Sequence, residues 1–336
     1  MRILVTGGAG YIGSRTAALL ATAGHDVTVF DDLSTGHRAA AGSLPLVVGD
    51  VRDDRLLATV MGDARIDAVV HFAALKSVEE SMTDPGAYFD VNVGGTLAVL
   101  RAMARAGVGR IVFSSSCAVY GIPAALPVAE DAPLQPMNPY GESKLMSERL
   151  LPWFEAAHGI RFAILRYFNA AGAADDGSAG EDWAAAPNLI PIVLKVAAGQ
   201  LPAIRVNGHD HPTPDGSAVR DYIHVLDLAE AHLRALAVVD ERDASIVVNV
   251  GTGRGASVLE VLEAARRVTG QPIAALDGPR REGDPPAVWA DTRGAAAILG
   301  WTATRSLDDI LATAWRWHSN HPAGYEPAVA AVKGAS

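Results

Sequence analysis

The stretch TGGAGYIGS, residues 6–14, constrains this chain more than any other. It follows the short apolar run ILV (3–5), which reads as a buried strand, and leads into SRTAALLATA, which reads as a helix stopped by Gly24. Gly7, Gly10 and Gly13 stand at G-x-x-G-x-x-G spacing. The first glycine permits a tight turn, the second lets backbone approach a pyrophosphate, and the third lets helix and strand pack closely. The helix that follows offers free N–H groups and a positive dipole end. Next comes DVTVFD (26–31), a second strand ending in Asp31, 18 residues after Gly13. A carboxylate there accepts hydrogen bonds from ribose hydroxyls and repels a 2′-phosphate. No arginine follows at once in DDLSTGHR, so NAD is expected rather than NADP.

The alternation continues. LPLVVGD (44–50), DAVVHFAA (67–74), RIVFSSS (110–116) and RFAILRYFN (161–169) read as strands, with helical patterns at 54–62, 86–107 and 143–159 between them. Such a rhythm implies right-handed βαβ units on a parallel sheet. After Asn169 the texture changes to stretches dense in Gly, Pro, Asp and Asn, interleaved with the amphipathic HVLDLAEAHLRALAVV and the strand-like SIVVNVGTG. The expected fold class is α/β: a Rossmann-type doubly wound parallel sheet with a smaller interleaved α/β substrate-binding domain. Residues 1–168 form the NAD-binding part, with later returns near 220–250 and 289–303. Residues 169–336 are mainly the substrate part, near 169–219, 251–288 and 304–336.

Bulk properties narrow the function. The formal charge of −10 disfavours nucleic acid or an anionic membrane as main partner. No apolar run approaches the ~18 residues of a membrane span, and the opening stretch has too short an apolar core for a signal peptide. Cys117 is alone, so no disulfide framework is expected. The ten histidines show no HExxH-type spacing, so no metal site is expected. A cytoplasmic enzyme fits these properties.

Candidate chemistry lies in SSSCAVYG (114–121) and NPYGESKLMSE (138–148). Asn138 suits an N-cap and Pro139 a first helical turn. Tyr140 and Lys144 are then i and i+4, on one face. The serine strand and this helix meet at the carboxyl edge of the sheet, where ligands bind. A free tyrosine has a pKa of about 10. A cation about 5 Å away at an effective dielectric of about 20 contributes roughly 3 kcal/mol, or about 2 pKa units. Tyr140 is thus expected to be a general base near neutral pH, lowered by Lys144 and the positive nicotinamide ring, with Ser116 holding the same substrate oxygen.

At these residues the chain resembles the extended short-chain dehydrogenases/reductases, and more narrowly the UDP-glucose (UDP-galactose) 4-epimerases. The resemblance covers almost the whole chain. It rests on TGGAGYIGS, HFAALKSVEES, VNVGGTL, FSSSCAVYG, NPYGESKLM, LRYFNAAGA, PTPDGSAVRDYIHVLDLA and RREGDPPAVWAD, the last two being the most specific. It implies a tightly held NAD that takes and returns a hydride at C4 of a UDP-hexose through a 4-keto sugar. It implies catalysis by Tyr140, Lys144 and Ser116. The implied cofactor set is Gly7, Gly10, Tyr11, Ile12, Gly13, Asp31, Asp32, Asp50, Val51, Phe72, Ala73, Ala74, Lys76, Asn92, Ser114 and Tyr167, together with Tyr140 and Lys144. On the substrate side it implies Lys76, Ser116, Tyr140, Asn169, Asn188, Leu189, Asn207, Arg220, Arg281, Asp284 and Val288, with the two arginines supplying charge for the diphosphate. A homodimer through helices of the cofactor part is implied as well.

Three departures bear on specificity. Ala118 stands where the family often has threonine, so one hydroxyl contact is absent. Asn207 replaces a frequent aromatic beside uracil. Val288 stands where some members carry a tyrosine at the sugar pocket, leaving room for an N-acetylhexosamine. Epimerases of UDP-glucuronate or UDP-xylose type share much of the pattern and remain an alternative. A dehydratase or decarboxylase fits less well: dehydratases need an Asp-Glu pair where Cys117 and Ala118 stand. A non-catalytic NAD-binding protein would have no need of the Tyr–Lys pair kept here.

Overall fold

A computed structural model describes residues 1–183, 186, 188–242, 244–280 and 285–325. Six strands come in the first half: Arg2–Thr6 (β1), Asp26–Asp31 (β2), Leu46–Val48 (β3), Ala68–His71 (β4), Arg110–Ser116 (β5) and Arg161–Tyr167 (β6). Four short ones follow, Asn169–Ala171 (β7), Ile204–Asn207 (β8), Val219–Arg220 (β9) and Tyr222–His224 (β10), before Ile246–Val250 (β11). Ala256–Ser257 (β12), Ala275–Gly278 (β13) and Ala287–Val288 (β14) come last. The main sheet has seven strands in the order β11-β6-β5-β4-β1-β2-β3, every pair parallel. Strand order reverses between β1 and β4. That reversal opens a crevice at the carboxyl ends, the ligand position of such sheets.

The helices are Tyr11–Thr22 (α1), Asp54–Asp63 (α2), Val78–Thr83 (α3), Pro85–Tyr88 (α4), Gly95–Ala106 (α5), Pro139–His158 (α6), Leu189–Ala197 (α7), Val225–Glu241 (α8), Val258–Thr269 (α9), Arg293–Leu299 (α10) and Leu307–Asn320 (α11). Side chains alternate faces along a strand, and both faces of this sheet are buried. Ile3 and Val5 point to a core shared with α1, α8 and α10. Leu4 points to the opposite core, filled by Leu57 and Met61 of α2, Val99 and Met103 of α5 and Leu151 of α6. A separate apolar cluster joins α7, α9 and α11. The short strands pair among themselves as β10-β7, β12-β9-β14 and β13-β8.

Local chemistry sets the ends of the elements. Asn138 caps α6 by accepting from Gly141 N at 2.9 Å, Pro139 fills the first position, and left-handed Gly159 ends the helix. The expected strand at 67–74 stops at His71, because Phe72 N and Ala73 N both donate to Thr6 O and turn the chain. The expected strand at 161–169 breaks after Tyr167, and Asn169 leaves the sheet to pair with Tyr222. The single helix expected over 86–107 contains a π-helical turn, Phe89–Gly94, between α4 and α5.

Candidate active site

The glycine loop fits a dinucleotide. A Cβ on Gly7, whose φ is +69°, would lie 2.5 Å from Ala73 N, and one on Gly13 would strike Gly7 O. Loop, helix and the chain after β4 are therefore packed at backbone contact. A Cβ on Gly10 would meet only Gly7 O, at 3.3 Å, so the loop's outer side is open to a ligand. The start of α1 has no side-chain cap and no acidic residue in its first turn. Its first amides are thus suited to an external anion. Asp31 ends β2, buried, with one carboxylate oxygen accepting from Ala9 N and the other from Leu33 N, both at 2.9 Å. Burial pushes its pKa up, and these two amides pull it back. Each oxygen keeps a lone pair for a ribose hydroxyl. Asp32 instead braces its own turn through Ser34 N and Oγ.

Three serines end β5, and strand alternation gives each a different partner. Ser114 Oγ shares a 2.7 Å hydrogen bond with the Tyr167 phenol. Ser115, facing the other way, donates to Glu148 of α6 at 2.5 Å. Ser116 accepts from Ala118 N at 3.2 Å and lies beside Tyr140. Tyr140 and Lys144 are both buried on α6. The Lys144 ammonium donates to Ser114 O at 2.9 Å and sits 5.3 Å from the centre of the Phe113 ring.

The electrostatics differ from the sequence expectation. Burial, not the lysine, dominates Tyr140 and pushes its phenol above the ordinary tyrosine value, with Tyr167 adding to the rise and Ser116 opposing it. Counting the cation alone omitted desolvation, which favours the neutral form. Burial also lowers Lys144 to about 8, and Glu148 opposes that shift. Tyr167 is raised to about 12 by burial.

Two supporting networks had no sequence reading. Glu148 lies one helical turn beyond Lys144. It pairs with Arg166 of β6 at 3.0 Å (Nε to Oε1) and 2.7 Å (Nη2 to Oε2), and Arg166 also donates to the Tyr120 phenol at 3.0 Å. The signal was available: Tyr140, Lys144 and Glu148 recur at i, i+4 and i+8, one stripe of α6. The second network centres on the π-helical turn. Asn92, expected to line the cofactor, has its amide occupied by protein: it accepts from Leu75 N at 2.8 Å and donates to Leu75 O at 3.1 Å and Ser143 Oγ at 2.9 Å. It pins the chain after β4 to α6. Behind it, Thr96 donates to Asn92 O, so it accepts from His71 Nε2 at 3.1 Å, and Nδ1 of that ring accepts from Thr6 at 2.6 Å. Burial lowers the His71 pKa to about 3, and in the neutral ring an Nε2–H that donates to Thr96 leaves Nδ1 as the acceptor.

The family model described as "NAD dependent epimerase/dehydratase family" matches residues 3–251. The chain belongs to the NAD dependent epimerase/dehydratase family. A UDP-glucose 4-epimerase of Lacticaseibacillus casei is 50% identical over 327 residues, 97% of this chain and 99% of its own. The UDP-glucose 4-epimerase of Stenotrophomonas maltophila, solved with NAD and formylated UDP-arabinopyranose, superimposes with a TM-score of 0.93 at 43% identity, over 96% of this chain and 99% of that one. That of Bifidobacterium longum, solved with NAD+ and UDP, gives a TM-score of 0.91 at 41% identity, over 97% and 100%.

Other residues expected from the resemblance to UDP-glucose 4-epimerases fall as follows in this member of the epimerase/dehydratase family. Phe72 lies 4.6 Å from the ring of His232, which also faces Tyr167. Ala73 and Ala74 continue the chain that closes on Gly7. Ile12 and Val51 are packed into the two cores. Asp50, expected in the cofactor set, is engaged by Arg52 at 3.0 Å and 3.1 Å, and that pairing lowers its pKa. On the substrate side, Asn169 donates to Asp221 O at 3.1 Å, and Asn207 ends β8. Asn188 precedes α7 without capping it, and Leu189 is its first residue. Arg220 pairs in register with Val288, which packs with Phe168 and Leu145. Arg281 and Asp284 lie outside the described residues. Among the described residues there is no cluster of three or more His, Cys, Asp or Glu that could hold a metal ion, and no helix long and apolar enough to cross a membrane.

Proposed function

We propose that this chain interconverts UDP-glucose and UDP-galactose by inverting C4. One observation carries the reading: Tyr140, Lys144 and Ser116 meet at the carboxyl end of β5, two strands along the sheet from β1 and its glycine loop, in a chain about half identical to curated UDP-glucose 4-epimerases along its length. When bound, NAD would supply the acceptor and donor of the C4 hydride and a positive ring charge. Tyr140 takes the proton of the C4 hydroxyl and gives one back to the C4 oxygen on return. Ser116 donates to the same oxygen and orients it. Lys144 holds positive charge behind the phenol from its seat on Ser114 O, so the proton leaves the sugar without a free ion crossing the site. Lys76 and the start of α1 serve the cofactor; Asn169, Asn188, Leu189, Asn207, Arg220, Arg281, Asp284 and Val288 serve the sugar nucleotide. Its segments are 169–219, 251–288 and 304–336.

The test is incubation with UDP-galactose in deuterated water, no cofactor added, and NMR of the product. UDP-glucose with no carbon-bound deuterium is expected, since the same hydrogen returns to C4. Label at C5 or C6 would make the chain a dehydratase and overturn the reading.

A second substrate class rests on the size of Val288, which packs with Val119, Leu145 and Phe168 and is smaller than the tyrosine that some members of the resembled family carry there. UDP-N-acetylglucosamine is turned over as well, and Val288→Tyr abolishes that activity while keeping UDP-glucose. A wild type inert toward the N-acetylated sugar removes this reading. The chain works in the cytoplasm as a homodimer through α6, whose outer face exposes Met146 and 75% of Trp153. Light scattering giving a monomer mass would exclude the dimer.

A further inference from the structure

β4, β1 and β2 are neighbours in the sheet. The loops leaving their carboxyl ends therefore stand in a row along the edge where a dinucleotide lies. One segment of the second half, residues 172–182, is tied to all three. Tyr11, at the start of α1 after β1, donates its phenol proton to Gly172 O at 2.6 Å. His37, beyond β2, lies 2.8 Å from the Asp182 carboxylate, and its ring stacks on Tyr325 with 4.7 Å between centres. Lys76, beyond β4, donates to Glu181 Oε1 at 3.1 Å.

The segment is stiff and anchored in the second half. Ala173 and Gly180 form an antiparallel bridge, and Ala174 N donates to Ala179 O at 2.8 Å. Trp317 Nε1 donates to Glu181 O at 2.9 Å, and the Tyr325 phenol donates to Gly180 O at 3.0 Å. The Glu181 side chain is only 6% exposed against 57% for Lys76, so the carboxylate is the fixed partner and the lysine the movable one. The same Oε1 accepts Asn188 Nδ2 at 3.0 Å. Residues expected to serve the cofactor and the sugar nucleotide thus share one buried oxygen.

We infer that residues 172–182 are a strap closed over the cofactor groove, latched by Tyr11, His37 and Lys76, with Glu181 as the positioning residue for the third latch. The strap sets how long the dinucleotide stays bound. The inference rests on the NAD-binding reading given above. A single exposed pair holds little, but three latches on one stiff segment must open together before a ligand beneath it leaves. A reaction that returns its cofactor to the starting state in every cycle needs no such exit.

The experiment follows exchange of NAD out of the holoprotein into excess radiolabelled NAD. Tyr11→Phe, Glu181→Ala and Asp182→Ala each remove one latch, and each speeds release by about tenfold, the loss expected of one strong hydrogen bond. Asp175→Asn is the control: Asp175 lies in the same segment but pairs with Arg305, away from the groove, so its release rate stays at the wild-type value. Tyr11→Phe deletes one oxygen and keeps the ring, so it tests the strap even should a charged-residue variant not fold. Release at the wild-type rate from the folded latch variants, or equal acceleration in Asp175→Asn, overturns the strap. A wild type purified without any dinucleotide, and binding none when NAD is added, overturns the NAD reading and the strap with it.

Discussion

At the scale of single residues, Tyr140 and Lys144 are pulled by opposing effects. Both are buried, so each is driven toward its neutral form. Lys144 near 8 sits below the ~10.4 of an unfolded lysine. The unfolded chain therefore holds that proton more tightly, and this group's contribution to stability rises between about pH 8 and about 10.4. The positive charge proposed to act in catalysis is lost as pH rises through about 8. Turnover therefore falls above about pH 8 while the urea midpoint does not fall with it, and Lys144→Met, slower by about 10²-fold, loses the alkaline limb. Rates and urea midpoints at pH 7.5, 8.5 and 9.5 check this. The phenol is the complementary case. In the holoprotein its absorbance, taken as wild type minus Tyr140→Phe, rises at a lower pH than in the nucleotide-free chain, because the cofactor adds positive charge. The sequence offered Tyr140 and Lys144, the proposed reacting residues, through type, order and helical spacing. It did not reveal how burial resets them, because desolvation depends on neighbours from β5, β6 and α3–α4 that no spacing specifies.

At the scale of elements, the legible ones carry their own boundary chemistry. Asn138, Pro139 and Gly159 mark α6 in the sequence as plainly as in the fold. The π-helical turn carries no such mark. Its wider hydrogen-bond ring is accompanied by tertiary contacts, Asn92 to Leu75 and Ser143 and Ser147 to Asn92 O, and by a local bond from Thr96 back to Asn92 O. Removing the amide strands buried partners on two elements. Asn92→Ala is expected to lose about 3 kcal/mol of stability, from more than one unsatisfied buried group, and to raise KM and lower kcat together, because both the cofactor loop and α6 lose their shared reference point. Denaturant titration and steady-state kinetics measure the two effects. The short strands of the second half were also unreadable. β9, β12 and β14 have two residues each, too few for any periodicity, and exist through pairing with one another.

At the scale of the whole molecule, four histidines share one condition. Burial lowers His71 and His318 to about 3, and His224 and His232 to about 4. Each is depressed below the ~6.5 of an unfolded histidine, so the unfolded chain binds more protons across that interval. The stability they represent is complete above about pH 6.5 and is lost as pH falls toward 4. The urea midpoint is expected to drop steadily from pH 7 to pH 5, and less so in His318→Phe, which keeps a ring to stack on Trp183. The parallel sheet, its switch point and the cofactor edge were legible from the alternating pattern. How the later segments return to that edge was not, because their contacts are long-range and their turns are irregular.

One feature of the sheet reaches beyond the folded state. β11 pairs with β6, yet the chain between Tyr167 and Ile246 belongs mostly to other clusters. On the ribosome, at about 5–20 residues per second, β6 waits several seconds with an unpaired flank. During that interval its apolar edge is open to any extended segment nearby, including the same strand on a neighbouring nascent chain. Chaperone dependence and yield in the cell should therefore respond to the speed of translation between these two strands more than to changes anywhere in the finished active site.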